Sequence, residues 1–404
     1  MSLTEHSQPR PASTVSPELA ARTRLMTVFE SGLALDCGRR VGPITVAWEQ
    51  YGDFNRDRSN VVLVCHALSG GAHAAGWHEG VEKPGWWNDM IGPGKAFDTS
   101  RHCVISSNVL GSCYGTSGPA SVNPATGAVF GPDFPVVTIA DMVRVQREVL
   151  SRLGVGTLHA VAGGSMGGMQ ALAWSVLYPQ DVQAVVAIAC TDRHSPRQIA
   201  LNEIARRAVI ADPKWNGGRY APGEGPSAGL AVARMLGHIT YLSDAGLERK
   251  FGRRAPEPRA YAIDAREFEV ERYLDHQGRS FVQRFDANSL LYITKALDYF
   301  DLSEGHPSLE AALRRTRARF LLLTFSSDWL YPPAQLERVA SALRASGRPV
   351  EYHCLTTDAG HDAFLVDYAR QAPLVRRFLG AATDGRALQF RPARLRRSSC
   401  SPTV

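Results

Sequence analysis

Short apolar runs, each ended by turn residues, are the feature that most limits how this 404-residue chain can fold. Their near-continuous hydrophobicity is typical of strands that are buried on both faces of a parallel sheet. Helical patterns such as Ile139–Leu153 separate some of the runs, and this alternation predicts an α/β fold with a mainly parallel sheet. The predicted strands are an alternating segment, Ile44–Tyr51, followed by Val61–Cys65, Cys103–Ser107, Leu158–Ala162, Val182–Ala189, Phe320–Phe325 and Val350–Leu355.

The alternation stops between Thr191 and Arg319, where the sequence has helical stretches and no clear strand. We expect a helical insertion over the carboxyl ends of the strands, which is where open α/β sheets bind their ligands. The sequence therefore predicts four parts. They are a polar N-terminal extension (1–30), a core (31–190 and 317–380), a helical lid (191–316) and a basic, disordered tail (381–404).

Composition excludes several classes of protein. The net charge of +6 is scattered rather than concentrated in a basic stripe, so we expect no nucleic-acid partner. No run of about 18 apolar residues is present, so we expect no membrane span. The first 24 residues lack the apolar centre of a signal peptide, which favours a cytoplasmic location. Seven cysteines without a C-x-x-C pair predict neither a disulfide framework nor a zinc site, and we expect no metal.

One serine stands among four glycines in the stretch VAGGSMGGMQALAW, Val161–Trp174. Gly163–Gly167 fits G-x-S-x-G, directly after a predicted strand and directly before a helical pattern. That context is the one a nucleophile elbow requires, because strand and helix approach closely and the serine is exposed at the turn. We therefore predict that Ser165 is a nucleophile.

A serine nucleophile needs a base and a carboxylate that orients it, and with this elbow they follow in the order Ser, Asp or Glu, His. Asp328 lies just beyond one later predicted strand, and His361 lies in a Gly-containing loop beyond the next. Taken alone, Asp328 fits a turn or helix cap and His361 a solvated loop. The required order, with each residue after a strand, favours a Ser165–His361–Asp328 triad.

An oxyanion hole needs one backbone N–H after the nucleophile and a second from a loop after an earlier strand. We assign these donors to Met166 and to Leu68, which lies in the loop of VVLVCHALSGG. His66 lies in the same loop, and we expect it to shape the loop rather than to act as the base.

With these motifs the chain resembles the homoserine O-acetyltransferase family of α/β-hydrolase-fold acyltransferases. The matching stretches run from about residue 44 to 370. They include CHALSG, KPGWWNDMIGPGKAFDT, NVLGSCYGTSGPASVNPATG, GGSMGGMQALAW, ARMLGHITYLSD, RFDANSLLYITKALDYFD, SSDWLYP and GHDAF. The resemblance implies an α/β-hydrolase fold in which the lid forms much of a homodimer interface.

The resemblance also implies a reaction and further site residues. Acetyl-CoA, a co-substrate rather than a bound cofactor, would acylate Ser165, and the hydroxyl of L-homoserine would then take the acetyl group. The product, O-acetyl-L-homoserine, feeds methionine synthesis. Arg234 matches the residue that holds the substrate carboxylate, and Asp362 the one that holds its amino group. Leu330 stands where succinyl-using relatives tend to carry arginine, which favours the acetyl donor.

The sequence is also compatible with several alternative functions. Within the family they are a homoserine O-succinyltransferase and a serine O-acyltransferase. The second is raised by Gly71, where many relatives have an acid, and by Ser112, where glycine is more usual. Further away are an α/β-hydrolase esterase, since water can intercept an acyl-enzyme, and a non-catalytic binding protein. The complete triad argues against the last.

Overall fold

The fold is described from a computed structural model, which covers residues 22–79 and 83–380. The predicted disordered tail, 381–404, lies outside the described residues, as do residues 1–21 of the predicted N-terminal extension.

Ten strands are present in the described part of the chain. Eight form one sheet, and the short pair β2 and β3 forms a separate hairpin. Their bounds are β1 Arg24–Val28, β2 Leu33–Ala34, β3 Arg40–Val41, β4 Ile44–Tyr51, β5 Val61–Cys65, β6 Cys103–Ser107, β7 Ala160–Gly164, β8 Ala184–Ile188, β9 Arg319–Phe325 and β10 Val350–Leu355.

The large sheet has the order β1-β4-β6-β5-β7-β8-β9-β10. β1 pairs with β4 and β4 with β6 in antiparallel fashion, and the other neighbours are parallel. Every residue of β5, β6, β7 and β8 is buried. Alternate residues of β5 enter opposite cores, with Leu63 on one face and Val62 on the other. This two-sided burial explains the unbroken apolar runs in the sequence.

Helices cover both faces of the sheet and form the lid. Their bounds are α1 Ile139–Arg152, α2 Met166–Leu177, α3 Pro196–Ala211, α4 Ser227–Tyr241, α5 Asp244–Phe251, α6 Glu269–Val282, α7 Ala287–Asp298, α8 Leu309–Leu313, α9 Pro333–Ala345, α10 Ala363–Val366 and α11 Tyr368–Gly380. None of the described helices is both long and apolar enough to cross a membrane.

The lid follows β8 and ends before β9, and its helices pack mainly on one another. α4 packs against α3 and α6, and α3 packs against α7. Ser195 caps the start of α3 through a reciprocal capping box with Gln198, which gives backbone N–H groups at the helix start a partner. An antiparallel bridge between Arg193 and Asp301 joins the start of the lid segment to the chain just after α7.

The sheet begins earlier than the sequence predicts. β1 lies inside the predicted N-terminal extension, 1–30, and pairs with β4 from Arg24 opposite Trp48 to Val28 opposite Ile44. As an edge strand it leaves most of its side chains exposed, so its sequence has no apolar run to identify it.

Candidate active site

Ser165 lies at the sharp turn between β7 and α2. Its backbone has φ 58° and ψ −126°, a left-handed conformation that costs a residue with a side chain about 1–3 kcal/mol. Two backbone contacts hold the turn. The Ser165 N–H donates to the Ile188 carbonyl (2.9 Å), and the Ser165 carbonyl accepts from the Gly168 N–H (2.9 Å). The strained turn fixes the direction in which the hydroxyl points.

The glycines around Ser165 are required by close backbone approach. A Cβ on Gly163 would collide with the backbone of Gly167, and one on Gly167 would collide with the carbonyl of Cys65. A Cβ on Gly164 would enter the ring of Phe364. Side chains at Gly163 and Gly167 would therefore push α2 away from β5 and β7, and one at Gly164 would displace Phe364 of α10.

The structure brings the three predicted triad residues together. His361 Nε2 lies 2.9 Å from Ser165 Oγ, and His361 Nδ1 lies 2.8 Å from Asp328 Oδ2. Asp328 and His361 are each 2% exposed, so the carboxylate acts on the imidazole with little solvent between them. The other carboxylate oxygen, Asp328 Oδ1, accepts from the Tyr331 N–H at 2.8 Å. This geometry suits removal of the Ser165 proton by His361 Nε2.

The turn that carries His361 is also sterically fixed. His361 lies in a short 3-10 turn, Gly360–Asp362, after β10. Gly360 has φ 69°, and a Cβ there would collide with the backbone of Tyr241 and Ser243 at the end of α4. The lid therefore contacts the core directly at the turn that carries His361, the catalytic base.

His66 takes no part in the triad and supports the loop after β5. Its Nδ1 lies 2.7 Å from the Ala67 carbonyl, and its Nε2 accepts from the Val109 N–H at 3.0 Å. Complete burial lowers the pKa of His66 to about 4, so the ring is neutral at pH 7. A neutral ring with one donor and one acceptor nitrogen satisfies both contacts, which agrees with the expected loop-shaping role.

A cavity of about 80 Å³ lies between the core and the lid, on the Ser165 side. Leu68, Arg234 and Leu330 line it together with Ser165, so these four predicted residues meet at one place. Met166 is the first residue of α2, next to Ser165. The first N–H groups of a helix have no partner within it and can stabilise a negative charge.

Arg234 supplies positive charge to this cavity from α4. Its guanidinium stacks over Phe281 at 4.7 Å and over Tyr241 at 5.6 Å, and its Nη1 lies 3.4 Å from Ser69 Oγ. The Arg234 Nε atom is buried and has no hydrogen-bond partner in the protein. A buried donor of this kind is costly unless a ligand satisfies it, and the fork of a guanidinium suits a carboxylate.

Asp362 follows His361 and faces the charged lid. Burial raises the pKa of the Asp362 carboxyl above its ordinary value, while His361, Arg234 and Lys250 act in the opposite direction. It is not among the residues that line the small cavity. The structure therefore places Asp362 within the electrostatic reach of Arg234 but leaves its contact with a substrate a prediction.

Sequence reasoning missed most of the residues that line this cavity, and His194 and Tyr331 are two of them. His194 begins the lid after β8, Tyr331 follows Asp328 after β9, and both line the cavity with Ser165. Their rings are hydrogen-bonded, with His194 Nε2 2.8 Å from Tyr331 Oη. Each of the two residues lies just beyond one of two neighbouring parallel strands, at the edge of the sheet where ligands bind. That position in the sequence could have identified them as candidate site residues.

A larger cavity, about 690 Å³, lies away from the triad. It lies between the loop of Pro119–Pro132 and lid segments that include Tyr220, Leu230 and Phe285. None of the triad residues lines it, so its size does not make it the catalytic site.

Glu49, His73 and His78 form the one group of potential metal ligands found in the described part of the chain. The buried Glu49 carboxylate lies 3.1 Å from His73 Nδ1 and 2.9 Å from His78 Nε2. It also accepts from Thr23 Oγ1 and Tyr51 Oη, both at 2.7 Å. Since protein donors already surround this carboxylate and the two imidazole rings contact each other, with centroids 3.7 Å apart, we interpret the group as an anchor for the loop after β5.

The chain matches known proteins over most of its length. Residues 60–368 match the family model of the alpha/beta hydrolase fold. A homoserine O-acetyltransferase of Nitrobacter hamburgensis is 52% identical over 367 residues, which are 90% of this chain and 92% of that protein. One of Methanohalobium evestigatum is 52% identical over 348 residues, 86% of this chain and 71% of that protein.

Solved structures agree with these matches. The homoserine O-acetyltransferase of Bacillus anthracis superposes with a TM-score of 0.84 at 31% identity, covering 89% of this chain and 98% of that one. An acetylester hydrolase of Corynebacterium glutamicum superposes with a TM-score of 0.74 at 25% identity, covering 89% and 96%. The fold class predicted from the sequence is thus confirmed. The chain belongs to the α/β-hydrolase fold family and, within it, to the homoserine O-acetyltransferase family.

Proposed function

We propose that this chain transfers the acetyl group of acetyl-CoA to the side-chain hydroxyl of L-homoserine, giving O-acetyl-L-homoserine and CoA. The observation that carries the proposal is the continuous Asp328–His361–Ser165 chain, with contacts of 2.8 and 2.9 Å, in a member of this family. The product is an intermediate of methionine synthesis, and we place the reaction in the cytoplasm.

In the first half-reaction Ser165 Oγ attacks the thioester carbonyl while His361 Nε2 takes the serine proton. The C–S bond then breaks, and the CoA sulfur leaves with that proton. Asp328 stabilises the imidazolium that forms in between. The backbone N–H groups of Leu68 and Met166 are the proposed donors to the oxyanion, a role typically worth about 3–4 kcal/mol per donor.

In the second half-reaction the homoserine hydroxyl attacks the acetyl-Ser165 carbonyl. His361 takes the hydroxyl proton and returns it to Ser165 Oγ as the ester bond to the enzyme breaks. We assign the substrate carboxylate to Arg234, because its buried Nε has no partner in the protein. We assign the substrate ammonium to Asp362. A clamp on both charges fixes how far the side-chain hydroxyl reaches, which favours homoserine over serine.

Leu330 is the proposed determinant of the acyl donor. It lines the small cavity beside Ser165 and offers no charge to a second carboxylate. A succinyl group would leave its distal carboxylate unpaired in this partly dry site, which is costly. We therefore assign acetyl-CoA, and not succinyl-CoA, as the acyl donor.

Hydrolysis of acetyl esters is the second candidate function. It is favoured by the acetylester hydrolase of similar fold, since both reactions pass through the same kind of acyl-enzyme. The two functions differ only in whether homoserine or water discharges Ser165.

Lid side chains support a homodimer. Ile204 on α3 is 56% exposed and Val232 on α4 is 52% exposed, and Ile199, Ile210 and Ile239 on the same two helices are also exposed. α3 and α4 pack against each other, and exposed apolar side chains concentrated on two neighbouring helices are typical of a surface that a partner covers. We propose that a second copy of this chain covers it.

The test of the proposed function is CoA release from acetyl-CoA with homoserine, serine or water as the acceptor. We expect fast release with homoserine, slower release with serine and the slowest with water. If CoA release is as fast without an added acceptor as with homoserine, water is the acceptor and the chain is an esterase. A preference for serine would contradict the acceptor assignment.

A further inference from the structure

A second buried carboxylate–imidazole–hydroxyl chain lies beside the triad, and the reaction as proposed does not use it. Asp298, at the end of α7, lies 3.2 Å from His194 Nδ1, and His194 Nε2 lies 2.8 Å from Tyr331 Oη. The His194 side chain is 2% exposed and that of Asp298 is 8% exposed. The chain therefore runs from the lid to the core through a region with little water.

The lid fixes the direction of each hydrogen bond in this chain. Asp298 also accepts from Asn202 Nδ2 at 2.7 Å and pairs with Arg206 at 2.7 Å. Although burial opposes its charge, hydrogen bonds from His194 and Asn202 and the ion pair with Arg206 lower the pKa of the Asp298 carboxyl. The ionised carboxylate selects the His194 tautomer that carries its proton on Nδ1. His194 Nε2 is then an acceptor, and the Tyr331 hydroxyl donates to it.

Tyr331 connects this chain to the catalytic carboxylate. Its backbone N–H donates to Asp328 Oδ1 at 2.8 Å, while the other oxygen of Asp328 bonds to His361. Its ring lies 5.0 Å from the His361 ring. Burial raises the pKa of the Tyr331 hydroxyl well above its ordinary value, so it remains a neutral donor. Hydrogen bonds thus fix Tyr331 at both ends, one in the lid and one in the triad.

We propose that Tyr331 is a positioning residue, whose hydroxyl is fixed by the lid pair His194–Asp298 so that its backbone N–H holds Asp328 in place for His361. The inference rests on the triad of the proposed function and adds a requirement to it. A phenylalanine at position 331 would fill almost the same volume, so packing alone does not require the buried hydroxyl. Burying a polar group costs free energy unless the group is hydrogen-bonded. Here each buried polar group has a partner, and the hydrogen-bonded chain leads to the catalytic Asp328.

The test is the rate of each half-reaction in Tyr331→Phe, expressed per active site. The burst of nitrophenol from p-nitrophenyl acetate counts functional Ser165, so a loss of folded protein changes the amplitude and not the rate. Because His361 and Asp328 serve both half-reactions, we expect acylation and deacylation by homoserine each to slow about 10-fold, with the KM for homoserine unchanged. His194→Phe breaks the same chain and carries the same test if Tyr331→Phe does not fold.

Two controls separate positioning from general structure. Tyr292→Phe removes a half-buried hydroxyl in the lid, which bonds to the Pro132 and Phe134 carbonyls of the core, and we expect its rates per site to be unchanged. The double variant of Tyr331→Phe and His194→Phe should be no slower than either single variant, because both act through one chain.

Unchanged rates per site in Tyr331→Phe would overturn the inference. A rise in the KM for homoserine alone would also overturn it, because Tyr331 would then contact the acceptor instead of positioning the triad. Neither result would contradict the proposed function. The proposed function is contradicted only if the wild-type enzyme does not transfer acetyl groups to homoserine.

Discussion

The core side and the lid side of the catalytic cavity are built by different constraints. On the core side, Ser165, Asp328 and His361 follow strand ends, and backbone contacts allow their turns little freedom. On the lid side, Arg234 is held by ring stacking between α4 and α6 and by one long contact to Ser69. With Arg234 as the proposed acceptor residue, the acyl-enzyme chemistry depends on the sheet, while the choice of acceptor depends on how the lid helices pack.

The largest expected effect is on the core side. Ser165→Ala removes the nucleophile and with it both half-reactions, so we expect turnover of acetyl-CoA with homoserine to fall by about 10⁴-fold or more. Steady-state CoA release measures it, and circular dichroism checks that the fold is intact. Turnover within a few-fold of the unaltered enzyme would mean that the acetyl group does not pass through Ser165.

The corresponding lid variant, Arg234→Ala, should separate the two half-reactions. Without the guanidinium, the substrate carboxylate is buried unpaired, so we expect kcat/KM for homoserine to fall by about 100-fold or more. Acylation by acetyl-CoA should stay nearly unchanged, and rapid-quench measurement of each half-reaction tests this. Arg207→Ala, an exposed lid arginine paired with Glu203, is the matched control. Equal slowing of acylation would show that Arg234 is not a carboxylate clamp.

These two sides also differ in how far the sequence could predict them. The sequence predicts the buried strands, because burial on both faces of a sheet requires continuous apolar runs. It also predicts the triad of Ser165, Asp328 and His361, because the nucleophile elbow has a local motif and the triad residues follow it in a fixed order. The role of Arg234 is predicted only by the family resemblance, since the neighbouring sequence does not distinguish an arginine in a cavity from one on the surface. The Tyr331–His194–Asp298 chain was not predicted, because its members lie far apart in sequence and meet only after the lid folds onto the core.

A smaller effect is expected where core and lid meet beside the acyl group. Leu330→Arg places a cation in the cavity that Leu330 lines with Ser165, and the cation can pair with the distal carboxylate of a succinyl group. We expect the ratio of kcat/KM for acetyl-CoA to that for succinyl-CoA to fall by about 10-fold. Leu330→Met, which keeps the site apolar, should leave the ratio unchanged. A preference for succinyl-CoA in the unaltered enzyme would contradict the donor assignment.

The smallest effect on catalysis is expected from the outer face of the lid. Ile204→Glu puts a charge into the proposed dimer face and should shift the protein toward monomer in light scattering after gel filtration, because a buried unpaired charge opposes association. The rate of acylation should change little, since the triad lies within one chain. Val122→Glu alters an equally exposed apolar residue outside the lid and should not change the assembly. A dimer that is unaffected by Ile204→Glu would exclude this face as the interface.

Acetyl transfer through Ser165 is tested most directly by mass spectrometry of the Ser165 peptide in two steps. Acetyl-CoA alone should add one acetyl group, about 42 Da, to that peptide, and subsequent homoserine should remove it as O-acetylhomoserine faster than serine or water does. We expect this label in the unaltered enzyme and its persistence in Arg234→Ala after homoserine is added. Formation of O-acetylhomoserine without any acetylated Ser165, or a label on another residue, would contradict it.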